Sequence, residues 1–283
     1  MTSGELSRLS LNQKTINQWS ALQAIDGCVR AGVPAIGLWR EPVRELGVAA
    51  TARAVADSGL RVSSLCRGGF LTGTEQAARE SLDDNRRAID EAAELGTDCL
   101  VLVVGGLPAG SRDLDAARAQ VRDGVGSLAP YAQACGVRLA LEPMHPIYCA
   151  DRGVLSTLAQ ALDIAEQFPA SQVGVVVDTF HVWWDPDVHR QIARAGARIA
   201  SFQVGDWITP LPPDSLLARG MMGDGHIDFA GLKASVDAAG YTGDIEVEIF
   251  NADLWASDPG QVLATVIDRY RAHLSSPASP TGA

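Results

Sequence analysis

The sequence predicts a closed (β/α)8 barrel folded as one domain, and three observations lead there. Strand-like apolar runs alternate with long helical runs from end to end, eight such units fit the 283 residues, and no glycine-rich turn follows the first strand. A barrel of this kind commonly takes roughly 250 residues. The strands are expected at Leu6 to Leu11, Ala35 to Trp39, Val62 to Cys66, Cys99 to Val104, Val137 to Leu141, Val173 to Val177, Ile199 to Val204 and Ile245 to Ile249. They are short and rich in Val, Ile and Leu on both faces, as parallel strands covered on both sides must be. Helical stretches lie between them: Ala21–Ala31, Val43–Ser58, Thr74–Leu95, Leu114–Ala134, Thr157–Phe168, Pro186–Ala195 and Phe229–Ala239, with Pro259–His273 after the last strand. Several stop on glycine, as at Gly32 and Gly59, where a left-handed cap is needed. The rival architecture, an open doubly wound sheet binding a dinucleotide, calls for glycines after the first strand; Leu11-Asn12-Gln13-Lys14 has none. The barrel is expected to cover 1–274, followed by a Ser/Pro/Gly-rich tail, 275–283, expected to be disordered.

Composition narrows the partners. The net charge is −11, from 23 basic and 34 acidic residues, which argues against nucleic acid and anionic membranes, both of which demand clustered Lys and Arg. Five cysteines, an odd number, are scattered without a CxxC pair, as free thiols in a reducing compartment would be. The amino-terminal residues have no apolar signal core and no run reaches membrane-spanning length, so the expected location is cytoplasmic.

In such a barrel the chemistry sits at the carboxyl ends of the strands. The residues there are Asn12, Arg40 with Glu41, Arg67, Gly105-Gly106, Glu142, Asp178 with His181, Gln203 with Asp206, and Glu248. Polar groups that interrupt apolar strands are costly to bury unless paired or coordinating. Glu142, Asp178, Gln203 and Glu248, from the fifth to eighth strands, can converge on one divalent cation, which would offset the repulsion of three carboxylates. The plainer alternative pairs each acid with an arginine or a helix end.

These residues carry a resemblance. The Glu142-Pro143 pair, Asp178-x-x-His181, the GDGHIDF segment from Gly223 to Phe229 and the GYTGDIEVE segment from Gly240 to Glu248 resemble the xylose-isomerase-like superfamily of sugar (phosphate) isomerases and epimerases. The likeness runs to about His273. It implies a metal held by Glu142, Asp178 and Glu248, with Gln203 where the family usually has His. An all-oxygen set suits Mn2+ or Mg2+ better than Co2+ or Zn2+, unless Gln203 contacts substrate alone. A second departure is Tyr148, where ketose epimerases carry a further acid. His145 stands nearby and, titrating near neutrality, can carry a proton or serve only as a loop residue. The resemblance also implies substrate contacts from His181 and Arg219. Arg67 and Arg40 can bind a phosphate or carboxylate from the rim or neutralise Glu41 and neighbouring acids, Asn12 at the first strand end is expected to contact substrate, and Trp183 can wall a sugar face or pack the barrel rim.

The expected chemistry is proton abstraction beside a metal-polarised carbonyl, with Glu142, Glu248 or His145 carrying the proton. Returning it gives a sugar isomerase or epimerase acting through an enediolate. Expelling a β-substituent gives a lyase: a dehydratase, or an enzyme cleaving a 3-keto glycoside, including C-glycoside deglycosylation. The apurinic endonucleases share the barrel but need a histidine-rich zinc cluster, and this chain has five histidines and a net charge of −11. A non-catalytic partner subunit is the remaining alternative. A homo-oligomer, dimer or tetramer, with a small sugar or glycoside as ligand is expected.

Overall fold

The computed structural model describes residues 5–275. Eight parallel strands close on themselves: β1 (Leu9–Asn12), β2 (Ala35–Trp39), β3 (Arg61–Gly69), β4 (Cys99–Val103), β5 (Arg138–Leu141), β6 (Val173–Asp178), β7 (Ile199–Val204) and β10 (Ile245–Val247). Sequence neighbours pair around the ring, and β1 closes it by pairing with β10 (Leu9 with Ile245). Between β7 and β10 a short antiparallel pair intervenes, β8 (Asp206–Trp207) with β9 (Arg219–Gly220). The expected single-domain barrel is observed. The expected disordered tail lies outside the described residues, apart from Ser275. No helix is long and apolar enough to cross a membrane.

Most of the apolar core lies between the strands and the surrounding helices, while a smaller cluster that includes Trp39, Cys66, Val101, Val176 and Phe250 forms separately from it. Several boundaries differ from the expected ones for local reasons. The helix expected over Val43–Ser58 is two helices, Arg40–Leu46 and Val48–Ser58, because Gly47 takes φ 95° between them, a conformation that ends the first helix. β3 runs on to Gly69 because the Asn85 side chain, on the helix Glu75–Glu94, accepts from Gly69 N (2.7 Å) and donates to Gly69 O (2.8 Å). β10 stops at Val247, two residues early, since the Thr15 hydroxyl takes over there. It donates to Val247 O and accepts from Ile249 N, each at 2.9 Å. Glu248 is thereby presented just past the strand end.

Candidate active site

Strand-end carboxylates form the floor of a cavity of about 430 Å³ at the carboxyl end of the barrel. A larger crevice, about 840 Å³, opens at the opposite end, where Arg61 and Asp244 are paired with each other. That end of a barrel serves stability, so the smaller cavity is the candidate site.

Glu142 follows β5 directly and is anchored through its backbone N–H to Leu102 O (3.2 Å). No donor among the described residues reaches its carboxylate. Burial, then the charges of Glu248 and Asp178, hold its pKa well above the usual range, with Arg219 opposing. Asp178 ends β6 and is wholly buried. Its Oδ1 caps Phe180 N (2.9 Å), starting the one-turn helix Thr179–Val182 that carries His181 into the site. Thr179 Oγ1 donates to Gly205 O (2.9 Å), tying this turn to β7.

His181 is buried, and its Nδ1 accepts the backbone N–H of His145 (3.2 Å). Burial, with Arg219 and His145 adding, lowers its pKa well below the usual value, so the ring is neutral. A neutral ring that accepts at Nδ1 carries its proton on Nε2. Nε2 lies 3.2 Å from Arg219 Nη2, another donor, and 3.9 Å from Asp178 Oδ2. The ring therefore presents its Nε2 edge to Arg219 and Asp178.

Arg219 is the site's internal cation. The β8–β9 pair carries it into the barrel mouth, 2% exposed. Its guanidinium meets Asp178 Oδ2 at 2.8 Å and Glu248 Oε2 at 3.2 Å. It lies over the rings of Phe180 (4.8 Å) and Phe250 (5.6 Å). Burial opposes its charge, but Asp178, Glu248 and Glu142 outweigh burial and raise its pKa.

Glu248 accepts from Asn12 Nδ2 (2.9 Å), and burial pushes its pKa up to about 8 against the pull of Arg219. Asn12 does not face substrate as expected. Its Nδ2 also donates to Glu246 Oε1 (2.6 Å), and its Oδ1 accepts from Trp39 Nε1 and Lys14 N, both at 2.9 Å. Two donors and two acceptor positions are thus used up inside the protein, making Asn12 a positioning residue.

Glu246 is a component that sequence reasoning missed. It also accepts from Ser63 Oγ (2.6 Å), Ser64 Oγ (2.8 Å) and Gln203 Nε2 (3.1 Å). The signal was present in the alternation of Ile-Glu-Val-Glu, which points Glu246 and Glu248 to one face. Asp206 binds the glycine loop, accepting from Gly223 N (2.9 Å), Gly225 N (2.8 Å) and Ile227 N (3.1 Å).

Three other expected contacts are placed differently. His145 does not line the cavity. Its ring packs on Trp207 (centroids 4.6 Å) and Trp184 (5.6 Å), and burial lowers its pKa to about 4, so it does not titrate near neutrality. Trp183 packs on Trp207 (5.7 Å) instead of the cavity, whose apolar wall is Trp39, Phe250 and Trp255. Arg40 is buried and bound to Glu91 (2.6 Å) and Asp84 (2.7 Å), so only Arg67 of that pair reaches the cavity.

Glu142, Asp178 and His181 make up a group that could hold a divalent cation. Three buried carboxylates face one guanidinium, burial raises the pKa of all three, and Gln203 Oε1 is buried without a partner. Carboxylate or imidazole atoms of Glu142, Asp178 and His181 lie within 4.8 Å of one another, as do donor atoms of Cys66, Glu246 and Glu248. Arg219 stands between Asp178 and Glu248. Tyr148 faces His181 edge-on (5.7 Å, 87°), where the resemblance implies an acid, and its hydroxyl donates to Ser215 O (2.8 Å).

Several known proteins resemble this chain. A crystal structure of protein SMc04130 from Sinorhizobium meliloti 1021 is 48% identical, with a TM-score of 0.92, over 96% of this chain and 100% of that one. An L-ribulose 3-epimerase of Mesorhizobium japonicum is 30% identical over 45% of this chain and 39% of its own length. A 3-dehydroshikimate dehydratase of Pseudomonas aeruginosa is 32% identical over 62% of this chain but only 28% of its own length. The matches therefore span well under half of these two relatives. A structure of the IOLI protein with a bound zinc atom shares the fold at a TM-score of 0.80 and 19% identity. Residues 25–273 match the family as a whole, and the chain belongs to the xylose isomerase-like TIM barrel family.

Proposed function

We propose that this chain is a divalent-metal-dependent isomerase or epimerase that enolises a keto- or aldo-sugar, or a sugar derivative, at the carboxylate floor. The observation that carries the reading is the pair Glu142 and Glu248. Both line the cavity, both are buried with raised pKa values, and they come from β5 and the end of β10, three places apart around the ring. Two carboxylates facing one substrate from different strands can remove a proton and return it.

Glu142, Asp178, Gln203 and Glu248 would hold the ion, Mn2+ or Mg2+ in preference given four oxygen donors. When bound, it supplies Lewis-acid polarisation of a substrate carbonyl. One glutamate removes the proton on the adjacent carbon and the other returns it from its own side of the cavity. Arg219 and the Nε2–H of His181 hold substrate oxygens. Trp39, Phe250 and Trp255 cover a sugar C–H face and exclude water. The relative named L-ribulose 3-epimerase supports this class.

A lyase is the second reading, favoured by Tyr148. Its position supplies no second carboxylate beside His181, its hydroxyl donates to Ser215 O, and a 3-dehydroshikimate dehydratase is among the relatives. The same enolisation, followed by loss of a β-substituent, would give a dehydratase or a 3-keto-glycoside-cleaving enzyme. The test is to incubate neutral and acidic keto sugars with Mg2+-loaded protein in deuterium oxide and follow carbon-bound exchange by NMR. Exchange with recovered or epimerised sugar supports the first reading, exchange with an unsaturated product the second, and no exchange with any sugar refutes both.

A further inference from the structure

Floor and wall of the cavity carry opposite charge. On the floor Glu142 and Glu248 lie with Arg219; on the wall stand Lys14, Arg67 and Arg152, with Glu41 and Asp214 as the acids nearby. Asp214 is occupied in capping Leu216 N (3.0 Å). Lys14 Nζ donates to Asn17 (3.0 Å), and Arg152 keeps only a long, exposed contact with Asp151 (3.6 Å).

Arg67 differs from both. It is half-buried, its guanidinium lies 4.4 Å above the Phe70 ring, and among the described residues it makes no hydrogen bond or ion pair. Burial lowers its pKa, Glu41 opposes, and the neighbouring Arg152 lowers it further. Its five N–H donors therefore face the cavity with no protein acceptor among the described residues, free to engage an anion.

The local backbone is bent to hold this arrangement. Phe70 adopts φ 54°, a left-handed conformation rare for an aromatic residue, and the turn is pinned by Asn85 at Gly69 and by Arg40 Nη1 at Arg67 O (3.2 Å). Such conformations persist where the surroundings over-determine them, often at ligand clamps. Here the strain holds the ring that fixes the plane of the guanidinium, and a guanidinium plane is matched to carboxylate and phosphate oxygens.

We infer that the cavity takes a sugar derivative bearing an anionic group, carboxylate or phosphate, held by Arg67 and Arg152 while the carbonyl end faces the carboxylate floor. This rests on the enolisation reading above for its carbonyl end only. The basic wall orients the ligand by attracting its anionic end to Arg67 and Arg152.

Two readouts test the inference separately from that reading. In the first, deuterium exchange by Mg2+-loaded protein is compared for D-fructose, D-fructose 6-phosphate and 5-keto-D-gluconate. One or both anionic probes should exchange with kcat/KM about 10- to 100-fold above D-fructose, and Arg67→Met should collapse that ratio. Preference for the phosphate or for the acid assigns the anion. In the second, saturation-transfer NMR follows methyl phosphate and acetate with wild type and Arg67→Met, a measurement independent of catalysis. Transfer to either anion that falls at least about tenfold in the variant supports the subsite. Equal ratios across the sugars, or anion binding absent in wild type or unchanged in Arg67→Met, overturn it. If no sugar exchanges, the enolisation reading fails and the anion-binding result still decides this one.

Discussion

Replacing Arg219 by Met removes the site's internal cation while leaving an apolar side chain between Phe180 and Phe250. The guanidinium is 3% exposed and pairs at 2.8 Å with Asp178 and 3.2 Å with Glu248, themselves 0% and 4% exposed, so solvent screens little of the interaction. Removing one partner of a buried ion pair costs about 3–5 kcal/mol, because the charge left behind has nothing to compensate it. In urea denaturation at pH 8 with EDTA, Arg219→Met should therefore lose about that much stability. The sign with pH follows from Glu248. Burial raises its folded pKa to about 8, so its contribution is present below the unfolded value, about 4.3, and is lost as pH rises toward 8. The deficit of the variant should consequently shrink at pH 5, where the orphaned carboxylates take up protons. Mn2+ at a hundredfold excess over its Kd should return about 2.7 kcal/mol at pH 8. A loss below about 1 kcal/mol at pH 8 in EDTA would contradict a charge-loaded floor and show the carboxylates neutral or otherwise paired.

Other substitutions probe separate parts of the site. Gln203→His should keep an ion and move its preference toward Co2+ or Zn2+, as metal-dependent activity profiles would show; an unchanged preference would mean the orphaned Gln203 Oε1 is not a ligand. His145→Ala should leave deuterium exchange and turnover within a few-fold of wild type, since its ring lies among tryptophans and stays neutral above about pH 4. A loss of about 10²–10⁴-fold with the ion retained would make it an acid–base group after all. Asn12→Leu leaves Glu246 and Glu248 each short of a donor, so it should cost about 1–3 kcal/mol and lower kcat more than it raises KM. Normal kcat in that variant would mean Glu248 needs no orienting partner.

The barrel was legible because its signal is periodic. Apolar strands and glycine-capped helices recur in order, and the strand-end position of Glu142, Asp178 and Glu248 follows directly from that order. What escaped depends on contacts between distant segments. Nothing in Trp39, Lys14 or Glu246 taken singly announces that they use up the hydrogen-bonding capacity of Asn12. The path of Arg219 into the barrel depends on a two-residue pairing with Asp206–Trp207 across a connection with no periodicity. The displacement of His145 from the cavity results from rings at positions 184 and 207, far apart in sequence and adjacent only after folding. Glu246 was within reach, since alternation alone places it beside Glu248.

The central claim is that the three strand-end carboxylates and Gln203 form one divalent-metal site. It is tested most directly by calorimetric titration of EDTA-treated, dialysed protein with Mn2+, alongside Glu142→Gln and Asp178→Asn. The account predicts a single saturable ion per wild-type chain and loss of that binding in both variants, each of which stays folded by circular dichroism. Absence of binding to wild type, or full binding by either folded variant, would contradict it.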